Sequence, residues 1–407
     1  MNLRIAGWVA AILVVDVAVL LAGVQLVRAL PARSMTLDRA IVANQPGGTG
    51  FSWPSARESA IALAGLDKSW QSGDQREVPI ASVTKMMTAY MVLSDHPLTG
   101  GAQGPSITVT QADAKTYKFD EAHGDSNAAV AAGETITERQ ALEALLLPSA
   151  DNIADLLAGW DAGSIGAFVA KMNRQARALG MTSTKYTDPS GLAASTVSTA
   201  HDQLILVRKV MTIPVFADIV SLPDAKIPIA GTIANYNYDT GQDGIIGVKT
   251  GTDSASGGCW AFAVKRTIAG TRRVVYGVVL GAPPRSTSPL ALVNAALRAG
   301  LALANDVPSK IRQVTALPAG TKVGTITVPW SSAAIPVVTA SALSGLAVSG
   351  TSISLHPKAH TPDTAFTSGQ RVGEITASGF LGGSRGVALV TGGASGKAPL
   401  TWRLFRS

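Results

Sequence analysis

Two short motifs, Ser82-Val83-Thr84-Lys85 and Lys249-Thr250-Gly251, constrain this chain more than any other feature. A serine hydroxyl is a poor nucleophile at neutral pH and needs a base beside it to take its proton. Residues three apart on a helix lie on one face, one turn along, so a helix beginning near Ser82 sets the Lys85 nitrogen beside the serine oxygen. Pro79 just ahead suits such a start. To act as a base Lys85 must shed its proton near neutral pH, which burial and a second cation favour, and Lys249 is the candidate second cation. An isolated S-x-x-K arises by chance about once in a chain of this length. Alone, Lys85 would read as a solvated helix residue. The second motif lies at a distance that fits one catalytic domain, and the pair points to an acyl-transferring serine enzyme.

Further blocks follow in order. They are the segment around the nucleophile (residues 79–93), Gly133-Glu134-Thr135-Ile136-Thr137, and Leu145-Leu146-Leu147-Pro148-Ser149-Ala150-Asp151-Asn152. Next come Met172-Asn173, Leu179-Gly180-Met181 and Asp188-Pro189-Ser190-Gly191-Leu192. The series closes with Gly247-Val248-Lys249-Thr250-Gly251-Thr252 and Val278-Val279-Leu280-Gly281-Ala282-Pro283-Pro284-Arg285. With these blocks the chain resembles, over residues 51–301, the low-molecular-mass penicillin-binding proteins that act as serine-type D-alanyl-D-alanine carboxypeptidases. The resemblance implies an α+β, β-lactamase/transpeptidase-like domain, an antiparallel sheet with a helical cluster and the active site between them. It also implies peptidoglycan stem peptides and β-lactams as binding partners.

Chemistry and resemblance jointly suggest roles. Ser82 attacks the carbonyl of the penultimate D-alanine, Lys85 takes its proton, and water later cleaves the acyl-enzyme. Ser149 and Lys249 pass a proton to the leaving amine, and Lys249 with Thr250 and Thr252 draws in the terminal carboxylate. The N–H groups of Ser82 and Thr252 are the expected oxyanion donors, with Gly251 allowing close approach. Arg285 is a further carboxylate anchor on this reading, against the plain alternative of an exposed loop arginine.

One departure stands out. The family's second motif is Ser-x-Asn, whereas this chain has Ser149-Ala150-Asp151 and then Asn152. An ionised Asp151 near Lys85 would favour the protonated lysine and oppose its use as a base. The preferred expectation is that the loop shifts, Asn152 faces the cleft and Asp151 caps the following helix; the alternative puts Asp151 in the cleft with altered activity. A class A β-lactamase would use a glutamate, and none lies between Glu143 and Glu374. A transpeptidase differs only in its acceptor, and an inert cell-wall binder would not need an activated serine.

Residues 5–27 form an apolar stretch of spanning length, preceded by Arg4 and interrupted by Asp16 and Gln25. An uncleaved single-pass anchor is preferred over a signal peptide, because the stretch is long and Val27-Arg28-Ala29 is a marginal cleavage site. Leu21-Ala22-Gly23-Val24 lacks the cysteine of a lipoprotein box. Arg28, Arg33 and Arg39 outnumber Arg4, so charge does not set the orientation; the resemblance places the catalytic domain outside the membrane. The net charge of +7 comes without a nucleic-acid motif, so no nucleic-acid partner is expected. The lone Cys259 reads as a small buried strand residue. The five histidines show no metal-ligand spacing, and His356 and His360 read as loop residues between Pro357 and Pro362; neither metal nor cofactor is expected.

The expected organisation is an anchor at 1–34, a catalytic domain at 35–305 and a small β-sandwich-like domain at 310–407, with the boundary at Asn305-Asp306-Val307-Pro308-Ser309. Strands are expected at 59–66, 258–265 and 273–280, the last two forming a hairpin about Gly270. Helices are expected at 83–93, 138–147, 152–160, 164–179 and 289–304, with Thr137 and Gln140 as a capping box and Gly180 at a helix end. Residues 320–327 and 369–376 resemble each other as equivalent hairpins, and residues 398–405 read as a final strand rather than a closing helix.

Overall fold

The structure, a computed structural model, describes residues 3–38, 42–44, 50–284 and 288–406. It divides into two units, Gly50–Arg312 and a second made of Met1–Thr49 with Gln313–Ser407. Helix α1 (Leu3–Val27) carries the apolar stretch, and its segment Ala6–Val27 is long and apolar enough to cross a membrane.

The first unit is built on a five-stranded antiparallel sheet, in the order Ile245–Asp253, Gly257–Ile268, Thr271–Ala282, Glu58–Leu63 and Ser69–Ser72. Period-two alternation explains how it is covered on both sides. Cys259, Ala261 and Ala263 join the core shared with the helical cluster. Trp260 and Phe262 point the other way, where Gly300 leaves room for the Trp260 ring. The cluster contains α2 (Lys85–Asp95), α3 (Gln111–His123), α4 (Glu138–Leu146), α5 (Asp151–Ala162), α6 (Ile165–Ala178), α7 (Ala200–Val210) and α8 (Pro214–Val220). Thr137 and Gln140 form the expected capping box of α4, and Gly180 follows α6 with φ +81°. The expected hairpin about Gly270 is present.

Helix α9 (Pro289–Lys310) runs through the segment expected to be a boundary. The apolar stripe does not stop there: Val307 is buried with Leu303 and Ala304. Pro308 falls in the last turn, where its missing N–H costs a single intrahelical bond.

The second unit holds a seven-stranded sheet in the order Ser34–Leu37, Lys322–Thr327, Ile335–Thr339, Arg385–Thr391, Arg371–Ser378, Ser352–Ala359 and Val42–Asn44. A two-stranded ribbon, Ile311–Leu317 with Leu343–Val348, shares its apolar core. Residues 35–37, counted above with the catalytic domain, pair instead with residues 324–326 of this sheet, next to Ser34 with Thr327. His356 and Pro357 also lie in a strand, not a loop.

The resemblance between residues 320–327 and 369–376 reflects a structural repeat. Gly320 N–H donates to Thr339 O, and Gly369 N–H donates to Thr391 O. The Thr339 hydroxyl donates to Pro318 O and accepts from Thr321 N, as the Thr391 hydroxyl donates to Thr367 O and accepts from Gln370 N. Each repeat has the same irregularity one residue before its second glycine, Gly324 or Gly373. The two halves meet where Val338 faces Val390, so a local twofold axis passes through that pair.

The expected final strand is a short helix, α10 (Leu400–Phe405). The helical turn lets Trp402 meet Trp330, at 5.7 Å between ring centroids, while Arg406 reaches the end of α1. A strand would separate those two side chains by about 13 Å along its axis.

Glu138 opens α4 fully buried, and neither carboxylate oxygen has a hydrogen-bond partner among the described residues. Burial pushes its pKa up to about 7. The folded state therefore holds a proton that the unfolded chain releases near pH 4.5, and stability falls as pH rises towards and through 7. In thermal unfolding of the detergent-solubilised chain, Glu138→Gln should reduce the stability lost between pH 5 and 8 by about 1–2 kcal/mol, and an unchanged pH slope would show that the buried carboxyl does not hold its proton.

Candidate active site

The Ser82 turn is a single 3₁₀ stretch, Ala81–Thr84, that runs directly into α2. Ala81 sits at φ +46°, a left-handed conformation that costs a non-glycine residue about 1–2 kcal/mol. The turn is held from two sides. The Thr84 hydroxyl donates to Ala81 O at 2.8 Å, and Gly191 packs so closely that a Cβ there would stand 1.9 Å from Ala81 O. From the sheet side, a Cβ on Gly251 would stand 3.0 Å from the backbone nitrogens of Ser82 and Val83.

Lys85 is completely buried, while Ser82 beside it is only half-buried. The Lys85 Nζ contacts three oxygens: Ser82 Oγ at 2.8 Å, Asp151 Oδ1 at 2.5 Å and the Ser190 carbonyl at 2.9 Å. An ammonium donates to all three. A neutral amine donates to two and offers its lone pair to the serine hydroxyl.

Asp151 is the first residue of α5, and Ser149 ahead of it takes a left-handed φ of +67°. Ser149 is buried, and its Oγ has no hydrogen-bond partner among the described residues. Burial pushes the Asp151 carboxyl up, and the neighbouring Lys85 offsets part of that rise. Two further acids surround the group. Asp120 is pushed up to about 6 and Asp155 to about 7, mainly by burial and then by the other carboxylates nearby.

Lys249 is buried on the strand Ile245–Asp253, and its Nζ donates to Thr250 O at 3.1 Å. Burial first, and the Lys85 charge second, hold its pKa well below that of a free lysine. Period two sets Lys249 and Gly251 on one face. Thr250 is buried, and Thr252 lines a cavity of about 650 Å³ with Asp253 and Arg57.

The structure thus brings Ser82, Lys85 and Asp151 into direct contact, with Gly251 packed on the same turn and the Lys249 charge felt by Lys85 and Asp151. The expected exposure of Asn152 to the cleft is overturned. Its side chain is buried and pinned to Ala128, accepting from the N–H at 3.0 Å and donating to the carbonyl at 2.9 Å. The carboxylate of Asp151 takes the cleft position instead of serving as a cap. Arg285 lies outside the described residues. Cys259 is buried in its strand, and burial pushes its thiol up to about 11.

Sequence reasoning missed the Ser190 carbonyl. It is presented by a loop that Asp188 organises, accepting from the N–H groups of Gly191 and Leu192 and from the hydroxyls of Ser190 and Thr196. The Asp-Pro-Ser-Gly run is a turn signature, so the loop was legible, but which carbonyl it aims inward was not.

Comparison with known proteins gives a consistent result. Residues 70–284 match the model of the Peptidase_S11 family, described as D-alanyl-D-alanine carboxypeptidase. The chain is 34% identical over 244 residues to the D-alanyl-D-alanine carboxypeptidase DacB2 of Mycobacterium tuberculosis, covering 58% of this chain and 76% of that protein. It is 32% identical over 174 residues to a D-alanyl-D-alanine endopeptidase of Pseudomonas aeruginosa, covering 42% of this chain and 53% of that one. Among solved structures, the Streptomyces K15 DD-transpeptidase superposes with a TM-score of 0.55 at 25% identity, covering 64% of this chain and all (100%) of that one.

Asn152 is expected to be structural. Asn152→Ala deletes two buried hydrogen bonds and should cost about 2 kcal/mol, or about 4–8 °C in thermal unfolding of the solubilised chain. Asn152→Asp should cost more, since a carboxylate would face the Ala128 carbonyl. Equal stability of all three proteins would show that the amide does not hold this loop.

Proposed function

Because this chain belongs to the D-alanyl-D-alanine carboxypeptidase family, peptidase S11, we propose that its activity runs through an acyl-enzyme on Ser82, with removal of the terminal D-alanine from peptidoglycan stem peptides as the outcome. The observation that carries this reading is the buried Lys85 Nζ, 2.8 Å from Ser82 Oγ and oriented by two further acceptors.

Lys85 works as the neutral amine. Two N–H groups stay on Asp151 and Ser190, and the lone pair takes the Ser82 proton as the Ser82 oxygen bonds to the penultimate D-alanine carbonyl carbon. The tetrahedral oxyanion is held by the N–H groups of Ser82 and Thr252, a role that suits the close approach of the Gly251 strand to the Ser82 turn. As the carbon–nitrogen bond breaks, the proton passes from Lys85 through Ser149, whose Oγ is otherwise unpartnered among the described residues, to the leaving amine. Lys249, Thr250 and Thr252 receive the substrate's terminal carboxylate. Water then attacks the ester carbonyl as Lys85 takes its proton, and Lys85 returns that proton to the Ser82 oxygen as the ester C–O bond breaks, restoring the serine and the amine. β-Lactams acylate the same serine. In this reading α1 is a single-pass anchor with the catalytic unit on the extracytoplasmic side, supported by its apolar span and by where peptidoglycan lies.

Intact mass and peptide mapping after benzylpenicillin should show one adduct on Ser82, and a monomeric stem pentapeptide should release D-alanine. Ser82→Ala should abolish both. A stable adduct with no D-alanine release, but cleavage of a cross-linked dimer, would favour the endopeptidase activity named for the Pseudomonas relative. No adduct and no cleavage of either substrate would sink the acyl-enzyme reading.

The Asp151 contact makes a separate prediction. Asp151→Asn keeps an oxygen acceptor for the Lys85 Nζ and should retain acylation by benzylpenicillin within about tenfold, whereas Asp151→Ala should slow it by about 100-fold or more. Equal rates for the two variants would mean that this contact does not position Lys85.

A further inference from the structure

The closing helix does something the catalytic chemistry does not require. A helix leaves its last four carbonyls without intrahelical partners. At the end of α1 one of these, Gln25 O, and two carbonyls just past the helix, Arg28 O and Ala29 O, are met from the other end of the chain. Arg406 donates to Ala29 O at 3.1 Å, to Gln25 O at 3.3 Å and to Arg28 O at 2.7 Å, while Gln25 Nε2 donates back to Arg406 O at 3.3 Å. A cation at a helix C-terminus also complements its dipole. The clamp fixes α10 beside the point where the apolar helix ends.

That position has a defined depth if α1 spans a bilayer, the reading on which this inference rests. The 22 apolar residues Ala6–Val27 rise about 33 Å, close to the ~30 Å of hydrocarbon, so residues 25–29 fall at the headgroup layer. The surface displayed there is of two kinds. Phe405 is 85% exposed and Leu400 67% exposed, unusual for large apolar side chains. Around them stand five cations, Arg28, Arg33, Lys397, Arg403 and Arg406, with Asp363 among the residues lining the same cavity as Arg33, Lys397 and Arg403. A second cavity, of about 410 Å³, is lined by Pro31, Pro329, Trp402, Phe405 and Arg406. The Nε atoms of Arg33, Arg403 and Arg406 are shielded and have no acceptor among the described residues. Cationic side chains beside an apolar rim match lipid phosphates above acyl chains.

We propose that α10 and its arginines form a lipid-binding collar around the exit of α1, taking anionic phospholipid headgroups of the bilayer that α1 crosses. Arg406 locks the collar to the helix, Phe405 and Leu400 dip into the interface, and Arg28, Arg403 and Lys397 meet the phosphates.

Cys259 is the sole cysteine and is fully buried, so Phe405→Cys gives a single accessible labelling site. The full chain, carrying an environment-sensitive fluorophore there, would be reconstituted into vesicles of phosphatidylcholine alone or with a third phosphatidylglycerol. Acrylamide quenching of the label should be at least twofold weaker in the anionic vesicles, and millimolar inorganic phosphate should not restore it. In Arg403→Gln/Lys397→Gln, which leaves the Arg406 clamp intact, the difference between vesicles should shrink to within error. Equal quenching in both vesicles, with the chain resisting alkaline extraction, overturns the collar while leaving α1 as an anchor. Extraction of the chain by alkaline carbonate overturns the spanning reading and the collar with it. Reversal by phosphate would show a free anion site instead of a lipid surface.

Discussion

A lysine nitrogen buried with three oxygen partners is the constraint around which the catalytic unit is arranged. Lys85 has no access to solvent, so its nitrogen depends for partners on Ser82, Asp151 and Ser190, and its charge acts on the buried Lys249. Those partners come from the α2 start, the α5 start, the Asp188 loop and the Lys249 strand. An isolated buried ammonium would be prohibitively costly, and removing either charge of a buried pair is more damaging than replacing both. The four segments must therefore dock together before the site has any chemistry, which ties the active-site geometry to the packing between sheet and helical cluster.

Strain is concentrated at the same place. Ala81 and Ser149, the residue before the nucleophile and the serine of the second motif, both hold left-handed backbone conformations that ordinary side chains disfavour. Each is over-determined by neighbours. Gly191 and Thr84 grip the carbonyl of Ala81, and the N–H of Asp151 donates to Ser126 O at 2.7 Å just after Ser149. Close approach by Gly191 and Gly251 from opposite sides leaves the Ser82 turn little freedom to relax. On the proposed acyl-enzyme mechanism, a serine pre-set in this way loses less on entering the transition state than one that must reorganise.

Much of this was legible in the residues. The S-x-x-K spacing reports a helix face directly, the capping box at Thr137 and Gln140 is a local code, and the repeat at 320–327 and 369–376 carries identical turn chemistry. The misreadings share a cause: they depended on distant partners. Residues 35–37 look like an extension of the domain that follows, but their hydrogen-bond partners lie at 324–326. Residues 398–405 have strand-like composition, yet Trp330 and the end of α1 make a helical turn the better solution. The end of α9 was hidden by polar letters around Val307, whose burial only the packed core reveals.

The order of Asp151 and Asn152 has a chemical reason that no local pattern shows. Position 152 must both accept from the Ala128 N–H and donate to the Ala128 carbonyl. An amide can do both, whereas an ionised carboxylate can only accept. Position 151 faces a lysine nitrogen, where either side chain could supply an oxygen. With the amide committed to Ala128, the acid stands at Lys85. There the neighbouring Lys85 offsets part of the cost of its burial, and Asp120 and Asp155, pushed up to about 6 and 7, add little negative charge in mild acid. The inversion is thus stable because the loop needs a bifunctional side chain at one position and the cleft needs only an acceptor at the other. Its consequence is a Lys85 nitrogen held between the Ser82 hydroxyl and a carboxylate, where an amide would have offered a neutral oxygen.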